Sequence, residues 1–266
     1  MLTTRFVPGA PNWLDLGAPD VDAVAAFYST LFGWTFQSAG PEAGGYGFFQ
    51  LDGKTVGAVG PCQEEGASAS WTPYFHTTDA DATSKAVEQA GGRVRTAPMD
   101  IFTAGRLATF TDPTGADFAV WQPGDVKGLE AVMEPNTLCW TELYTTDAAA
   151  AKDFYHSVFA WTYQDMTMGG ELVYSVASAP GAGTGDDTAH GGILQLQQMH
   201  LDAGSTSEWH PYFGVTDCDA MYHTATQHGA TPLIAPMDVS GVGRLAMLMD
   251  PAGALFALLK GDPTTR

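Results

Sequence analysis

Two acidic residues stand at matching places among aromatic neighbours: Asp15 in "NWLDLGAPD" and Glu142 in "LCWTELYTTD", 127 positions apart. Alternation along an extended strand puts Trp13 and Asp15 on one face, and Trp140, Glu142 and Tyr144 on the corresponding face of the second copy. A carboxylate partly buried among rings resists ionisation, which suits it to act as a general base or to anchor a ligand by hydrogen bonding. Glu142 is the candidate base. The competing reading for both is an edge carboxylate satisfied by backbone amides or by Arg106 or Arg244, which follow glycine at strand starts and could themselves hold a ligand carboxylate.

Three histidines add to this set. His76 in "YFHTTD" shares strand parity with Tyr74, His190 in "HGGI" stands before a strand, and His210 lies in "WHPYF". Six of the seven histidines follow residue 150, an asymmetry that suits one working site in the second half. Each also has a plainer role open to it, as a turn, edge or surface residue. His156, His223 and His228 are expected on helices and His200 in a loop. Phe49, Tyr174 and Tyr212, with Trp13, Tyr74, Trp140 and Tyr144, lie on runs that would floor a cleft for an apolar or aromatic guest, core packing being the alternative for each. No P-loop, Rossmann glycine turn, "GxSxG" elbow or Ser/His/Asp set is present, so phosphate transfer, dinucleotide binding and serine hydrolysis are not expected.

The elements that must position these residues are written twice. Trp13 and Trp34 recur as Trp140 and Trp161 at an offset of 127; Trp71 and Asp112 recur as Trp209 and Asp250 at 138. The difference is a net insertion whose expected seat is the Gly-rich "APGAGTGDDTAHGG", residues 179–192. Each half divides again, because an apolar strand, then Asp, then a helix reads four times. Asp20, Asp79, Asp147 and Asp217 are the expected N-caps, and Gly33 is placed to end the first helix. Two or three strand-like runs follow each helix, which predicts four βαβββ modules in two tandem halves. The fold class is α+β, with curved, partly closed mixed sheets and outer helices. The expected boundaries are 1–122, a linker at 123–137, and 138–266.

Charge narrows the partners. Eleven Lys+Arg against 30 Asp+Glu give a formal charge of −19, which repels phosphate backbones and anionic membranes. Cys62, Cys139 and Cys218 form no CxxC pair, and no stretch has signal-peptide or membrane-span character, so a reduced, cytoplasmic setting is expected.

The strand–Asp–helix–"FY..LFGW" opening and the "GRLA...DP.GA.F" ending resemble the vicinal oxygen chelate superfamily, the group of glyoxalase, bleomycin-resistance and extradiol-dioxygenase proteins, in its tandem actinobacterial form. The likeness covers about 12–122 and 138–260. Metal-dependent members commonly carry a Glu ligand seven residues after the Asp of "DP.G", and here those places are Ala119 and Ala257. Asp117 has the right parity but lies two residues early, and its counterpart is Leu255. The resemblance therefore implies a metal-free protein, with no cofactor, that binds a small apolar or aromatic molecule for sequestration or sensing. Its alternative is a lyase, isomerase or dioxygenase of glyoxalase type, with His210, Glu142 and His190 recruiting Fe, Ni or Zn in the second half; a cofactor-free reaction with Glu142 as base is a third. Nucleic acid and membrane are excluded as partners. Fused copies can imitate a dimer, so a monomer is expected, with a homo-oligomer as the other outcome.

Overall fold

The computed structural model describes residues 2–62, 66–167, 173–181 and 189–262. Four βαβββ modules follow one another, as the repeats predict. The first is β1 (Pro11–Ala18), α1 (Val21–Phe32), β2 (Thr35–Ser38), β3 (Gly47–Leu51) and β4 (Lys54–Pro61). The second is β5 (Ser70–His76), α2 (Ala80–Gln89), β6 (Arg93–Ile101), β7 (Gly105–Thr111) and β8 (Asp117–Pro123). In the second half β9 (Leu138–Thr145), α3 (Ala148–Phe159), β10 (Thr162–Thr167), β11 (Val173–Ser178) and β12 (Ala189–Gln195) form the third. After a short α4 (Gln198–Asp202) come β13 (Glu208–Gly214), α5 (Cys218–Gln227), β14 (Thr231–Val239), β15 (Gly243–Met249) and β16 (Leu255–Gly261).

All four capping aspartates do what their position implies. Asp20, Asp79, Asp147 and Asp217 accept the backbone N–H of Ala23, Ala82, Ala150 and Ala220 at 2.9–3.0 Å, each worth about 1 kcal/mol to its helix. Gly33 ends α1 in the left-handed region at φ 74°, where a residue without Cβ carries no penalty. The same place after α3 is Ala160, at φ 56°.

The strands make two eight-stranded mixed sheets, one per sequence half: β2-β3-β4-β1-β5-β8-β7-β6 and β10-β11-β12-β9-β13-β16-β15-β14. Neither closes on itself. Within each module the first strand runs parallel to the last, as in β9 against β12. The 11-residue difference in repeat spacing is shared between two connections. From β11 to β12 the chain uses 179–188 where β3 to β4 uses 52–53, and α4 enlarges the link from β12 to β13. Residues 182–188 of the Gly-rich stretch lie outside the described residues. His200, expected in a loop, belongs to α4, where the local helix supplies backbone partners the composition did not advertise.

Compact packing divides the chain differently from its sequence halves. One unit is Met1–Trp13, Pro73–Gly128 and Trp140–Trp209, the second and third modules; the other is Leu14–Thr72, Leu129–Cys139 and His210–Arg266, the first and fourth. The 123–137 segment is drawn into this packing: Leu129 and Ala131 are buried, and Trp34 donates its Nε1–H to the Asn136 carbonyl at 2.8 Å.

Both units are built around the same aromatic device. In the first, Tyr155 stacks on Trp161 at 4.9 Å and meets Trp209 edge-on at 5.5 Å; in the second, Tyr28 stacks on Trp34 at 5.6 Å and meets Trp71 at 5.4 Å. Trp209 donates to the Tyr155 hydroxyl, which donates to Asp112 at 3.0 Å. Trp71 likewise donates to Tyr28, which donates to Asp250 at 3.1 Å. Asp112 and Asp250 use their other oxygen to accept the amides of Ala116 and Ala254 in their own "DP.GA" turns. The tyrosine of each "FY" helix is thus bonded to the aspartate of the opposite half's turn. Burial, followed by the adjacent carboxylate, pushes both tyrosines well above the usual phenol range.

Candidate functional site

Alternation about the cores defines the faces available for function. Leu143 and Ile193 belong to the core of the first unit, so Glu142 and Tyr144 on β9, and the Gly192 that pairs with Glu142, lie on the opposite face. Tyr174, on β11, has the same parity through the pairs Tyr174↔Leu194 and Val176↔Gly192.

On this face Trp140 donates its Nε1–H to the Tyr174 hydroxyl at 2.8 Å, and Tyr174 donates to Glu142 Oε2 at 3.1 Å. Glu142 is 6% exposed. The chain Trp140–Tyr174–Glu142 requires glycine at 192, since a Cβ built there would overlap the Tyr174 hydroxyl. A side chain at that position would push the ring off its strand. Tyr174 is held protonated far above its ordinary range, first by burial and then by the Glu142 charge.

The second unit carries a tyrosine–carboxylate pair at the matching place. Tyr46 donates to Asp15 Oδ1 at 2.7 Å, and its ring lies over Gly60, where a Cβ would stand 2.9 Å from the ring edge. Tyr46 precedes Phe48 by two residues just as Tyr174 precedes Val176, and both followers sit in the row of the carboxylate. Tyr46 opens the strand-like run "YGFFQL" and stands one residue before β3, where nothing in the local pattern marks it as a partner for Asp15. Its signal is the glycine on the neighbouring strand, which recurs beneath Tyr174.

The two alanines occupy buried rows. Ala119 on β8 pairs with Tyr74 of β5, and Ala257 on β16 pairs with Tyr212 of β13; both alanines are 0% exposed. A carboxylate in either place would lose its water, at a cost of several kcal/mol without a compensating cation. Asp117 does not substitute for one, because it is bound to Arg95 and to the Thr111 hydroxyl.

Other candidates are placed elsewhere. Phe49 is 1% exposed inside the aromatic core of the second unit, 5.1 Å from Trp34, and not on an open face; Phe48 and Tyr46 have the outward parity. His190 is 2% exposed and packs edge-on against Trp161 at 4.6 Å. It is the extra residue of a bulge, since Ala177 pairs with Gly191 and Ser178 with Ala189, and the bulge turns it into the core. Neither ring nitrogen has a hydrogen-bond partner, and burial drives its pKa down to about 3. The alternative ligand set His210, Glu142 and His190 is therefore not assembled: among the described residues no three His, Cys, Asp or Glu side chains gather as a metal site would need. Among the described residues, these side chains do not form the ligand set that such a metal ion needs.

Trp13, Tyr74, Tyr212 and His210 are buried, and Tyr144 and His76 half-buried. Burial lowers the His76 pKa, and its Nδ1 has no hydrogen-bond partner. Arg106 is held by Asp81 and Asp100, and Arg244 by Asp219 and Asp238, so neither is poised for a ligand carboxylate. Cys139 is buried, with its thiol pushed up to about 12, which removes it as a nucleophile. Among the described residues no helix is long and apolar enough to cross a membrane.

A model of the Glyoxalase/Bleomycin resistance protein/Dioxygenase superfamily matches residues 10–120, and a glyoxalase-like domain model matches residues 140–259. DnrV, an anthracycline biosynthesis protein of Streptomyces peucetius, is 40% identical over 274 residues, covering 97% of this chain and 95% of its own. CFP32 of Mycobacterium tuberculosis is 36% identical over 265 residues, covering 98% of each chain. The Mn(II)-bound glyoxalase from Novosphingobium aromaticivorans matches with a TM-score of 0.65 at 17% identity, over 96% of this chain and 83% of its own.

Proposed function

Because the chain belongs to the glyoxalase/bleomycin resistance/dioxygenase superfamily, a scaffold that hosts many unrelated activities, we propose that it binds a small, flat, largely aromatic molecule without a metal ion. The guest lies on the open face of β9, β11 and β12, against Trp140, Tyr144 and Tyr174, with Glu142 as its polar anchor. The observation that carries this reading is the buried Tyr–Ala row in each unit, Tyr74 with Ala119 and Tyr212 with Ala257, where a metal-dependent relative commonly has its glutamate. Recognition then depends on aromatic surface and hydrogen bonding. The relative named for anthracycline biosynthesis supports a polycyclic aromatic guest. Three free cysteines agree with a reduced, cytoplasmic setting for this role.

The proton chemistry open to this face is narrow. Tyr174 donates to Glu142 and orients its carboxylate. The face suits holding a molecule, and a carboxylate is the group on it able to remove a proton.

Quenching of tryptophan fluorescence by an anthracycline aglycone, with and without EDTA, tests the proposal. Saturable binding that EDTA leaves unchanged is expected, together with calorimetric titrations of Mn(II), Fe(II), Ni(II) and Zn(II) that show no stoichiometric site. Tight uptake of one metal ion per chain, with catechol or hemithioacetal turnover that chelation abolishes, would replace this reading with the metal-dependent one.

A further inference from the structure

We infer that the outer edge of the second sheet, strand β14, is where two copies of this chain meet in a weak, apolar, two-fold dimer. The inference comes from a difference between matching edges of the two sheets, and it is independent of the guest site.

β6 and β14 each form the last strand of an eight-stranded sheet. They have the same length, share the word "APMD", and pair with β7 and β15 with register shifts at matching places. At an offset of 138, however, Arg93, Arg95 and Thr96 of β6 become Thr231, Leu233 and Ile234 of β14. The partners change with them. Arg95 is bound to Asp117, which also accepts the Thr111 hydroxyl; the residues at those places in the second half are Leu255 and Met249. A connected polar set is replaced throughout by apolar side chains, on a strand that the fold leaves outermost.

The replacement did not bury them. Leu233, Ile234, Met237 and Val242 are four of the eleven large apolar side chains exposed among the described residues, and Leu233 is 49% exposed. Charged residues on an edge strand discourage a second molecule from packing against it, whereas an exposed apolar strip invites one. The arginines that guard β6 have no counterpart on β14.

Charge selects the occupant. Two chains of formal charge −19 repel wherever their charged surfaces face each other. From Thr231 to Met237 the strand has no charged residue, and Asp238 at its end is tied to Arg244 at 3.1 Å. A basic partner would be drawn to the acidic surface instead of this strip, while a second β14 presents the same uncharged side chains under two-fold symmetry. The contact is made by side chains and not by extending the sheet, because Pro232 and Pro236 lack the N–H a ladder needs and two register shifts interrupt the strand. Four side chains cover less than the roughly 800 Å² per partner of a stable complex, so dimer and monomer exchange.

Sedimentation equilibrium of the full chain, over a concentration series at low and high salt, tests this. A reversible monomer–dimer equilibrium is expected, with the dimer fraction rising as salt screens the mutual repulsion. Leu233→Arg with Ile234→Thr, which restores the β6 residues, should weaken dimerisation about tenfold or more, and Met99→Arg on the matching edge should leave it within about threefold. Should the double variant fail to fold, Met237→Lys, on the same strand and 48% exposed, reads the same contact. A chain that is monomeric at every concentration overturns the inference; uptake of a nonionic detergent that the β14 variant loses would then assign the strip to a lipid-like partner. A dimer that dissociates as salt rises is held by charge pairs and overturns the apolar contact. Equal weakening by the β14 and β6 variants, or by neither, overturns the assignment to β14.

Discussion

The two compact units share one interior and carry different side chains on the other face of their strands. Trp209, Tyr155 and Asp112 in one are matched by Trp71, Tyr28 and Asp250 in the other, at hydrogen-bond lengths within 0.2 Å. Outside the core, the Trp140–Tyr174–Glu142 chain of the first corresponds to the Tyr46–Asp15 pair of the second. A duplicated scaffold keeps what both copies need to fold, while the surface proposed to meet a guest is free to diverge. The matched interiors act as a control for the unmatched faces.

The sharpest break of the comparison is at the shared interior. Asp112→Ala and Asp250→Ala each strand a buried tyrosine hydroxyl and the amides of a turn, and each should cost about 3 kcal/mol in denaturant unfolding. Near-equal losses support equivalent interiors; a harmless change in one unit would end the equivalence.

A second difference is acid sensitivity. His190 is confined to the first unit's core and is accepted there as neutral imidazole. Its folded pKa, about 3, lies below the ordinary 6.5. The stabilisation is therefore complete above pH 6.5 and is lost as pH falls from 6.5 toward 3, at up to about 1.4 kcal/mol per unit. Unfolding midpoints measured from pH 7 to pH 5 should fall, and His190→Leu should flatten that slope.

Gly192→Ala and Gly60→Ala separate the faces. The first should displace Tyr174 and weaken guest binding by about tenfold or more, and the second should leave affinity within about threefold. Equal effects would mean that both faces serve the same guest. The smallest effect is at the helix ends: Ala160→Gly should stabilise by about 0.5–1 kcal/mol and Gly33→Ala should destabilise by a similar amount, read from thermal unfolding.

Sequence patterns disclosed what depends on near neighbours. The Asp-x-x-Ala starts located four helices, Gly33 an end, and the repeated Trp positions the four modules. That Trp140, Glu142 and Tyr144 share one face of a strand was legible through parity alone. His190 was not, because one extra residue in β12 reverses which side a side chain takes, and a bulge leaves no mark in local composition. Phe49 was misplaced by one step of the same alternation. The Tyr28–Asp250 and Tyr155–Asp112 bonds span residues too distant for any periodic reading, although both "FY" and "DP" stood out as repeated words.

Those two bonds also bear on how the duplicated gene can change. Each copy holds one partner of two different contacts, so a substitution tolerated in one copy must be answered in the other. Neither copy is a spare. Drift in the paired motifs is expected to proceed by compensating steps across the two halves of the reading frame, while the residues around Glu142 and Asp15 evolve without that bond.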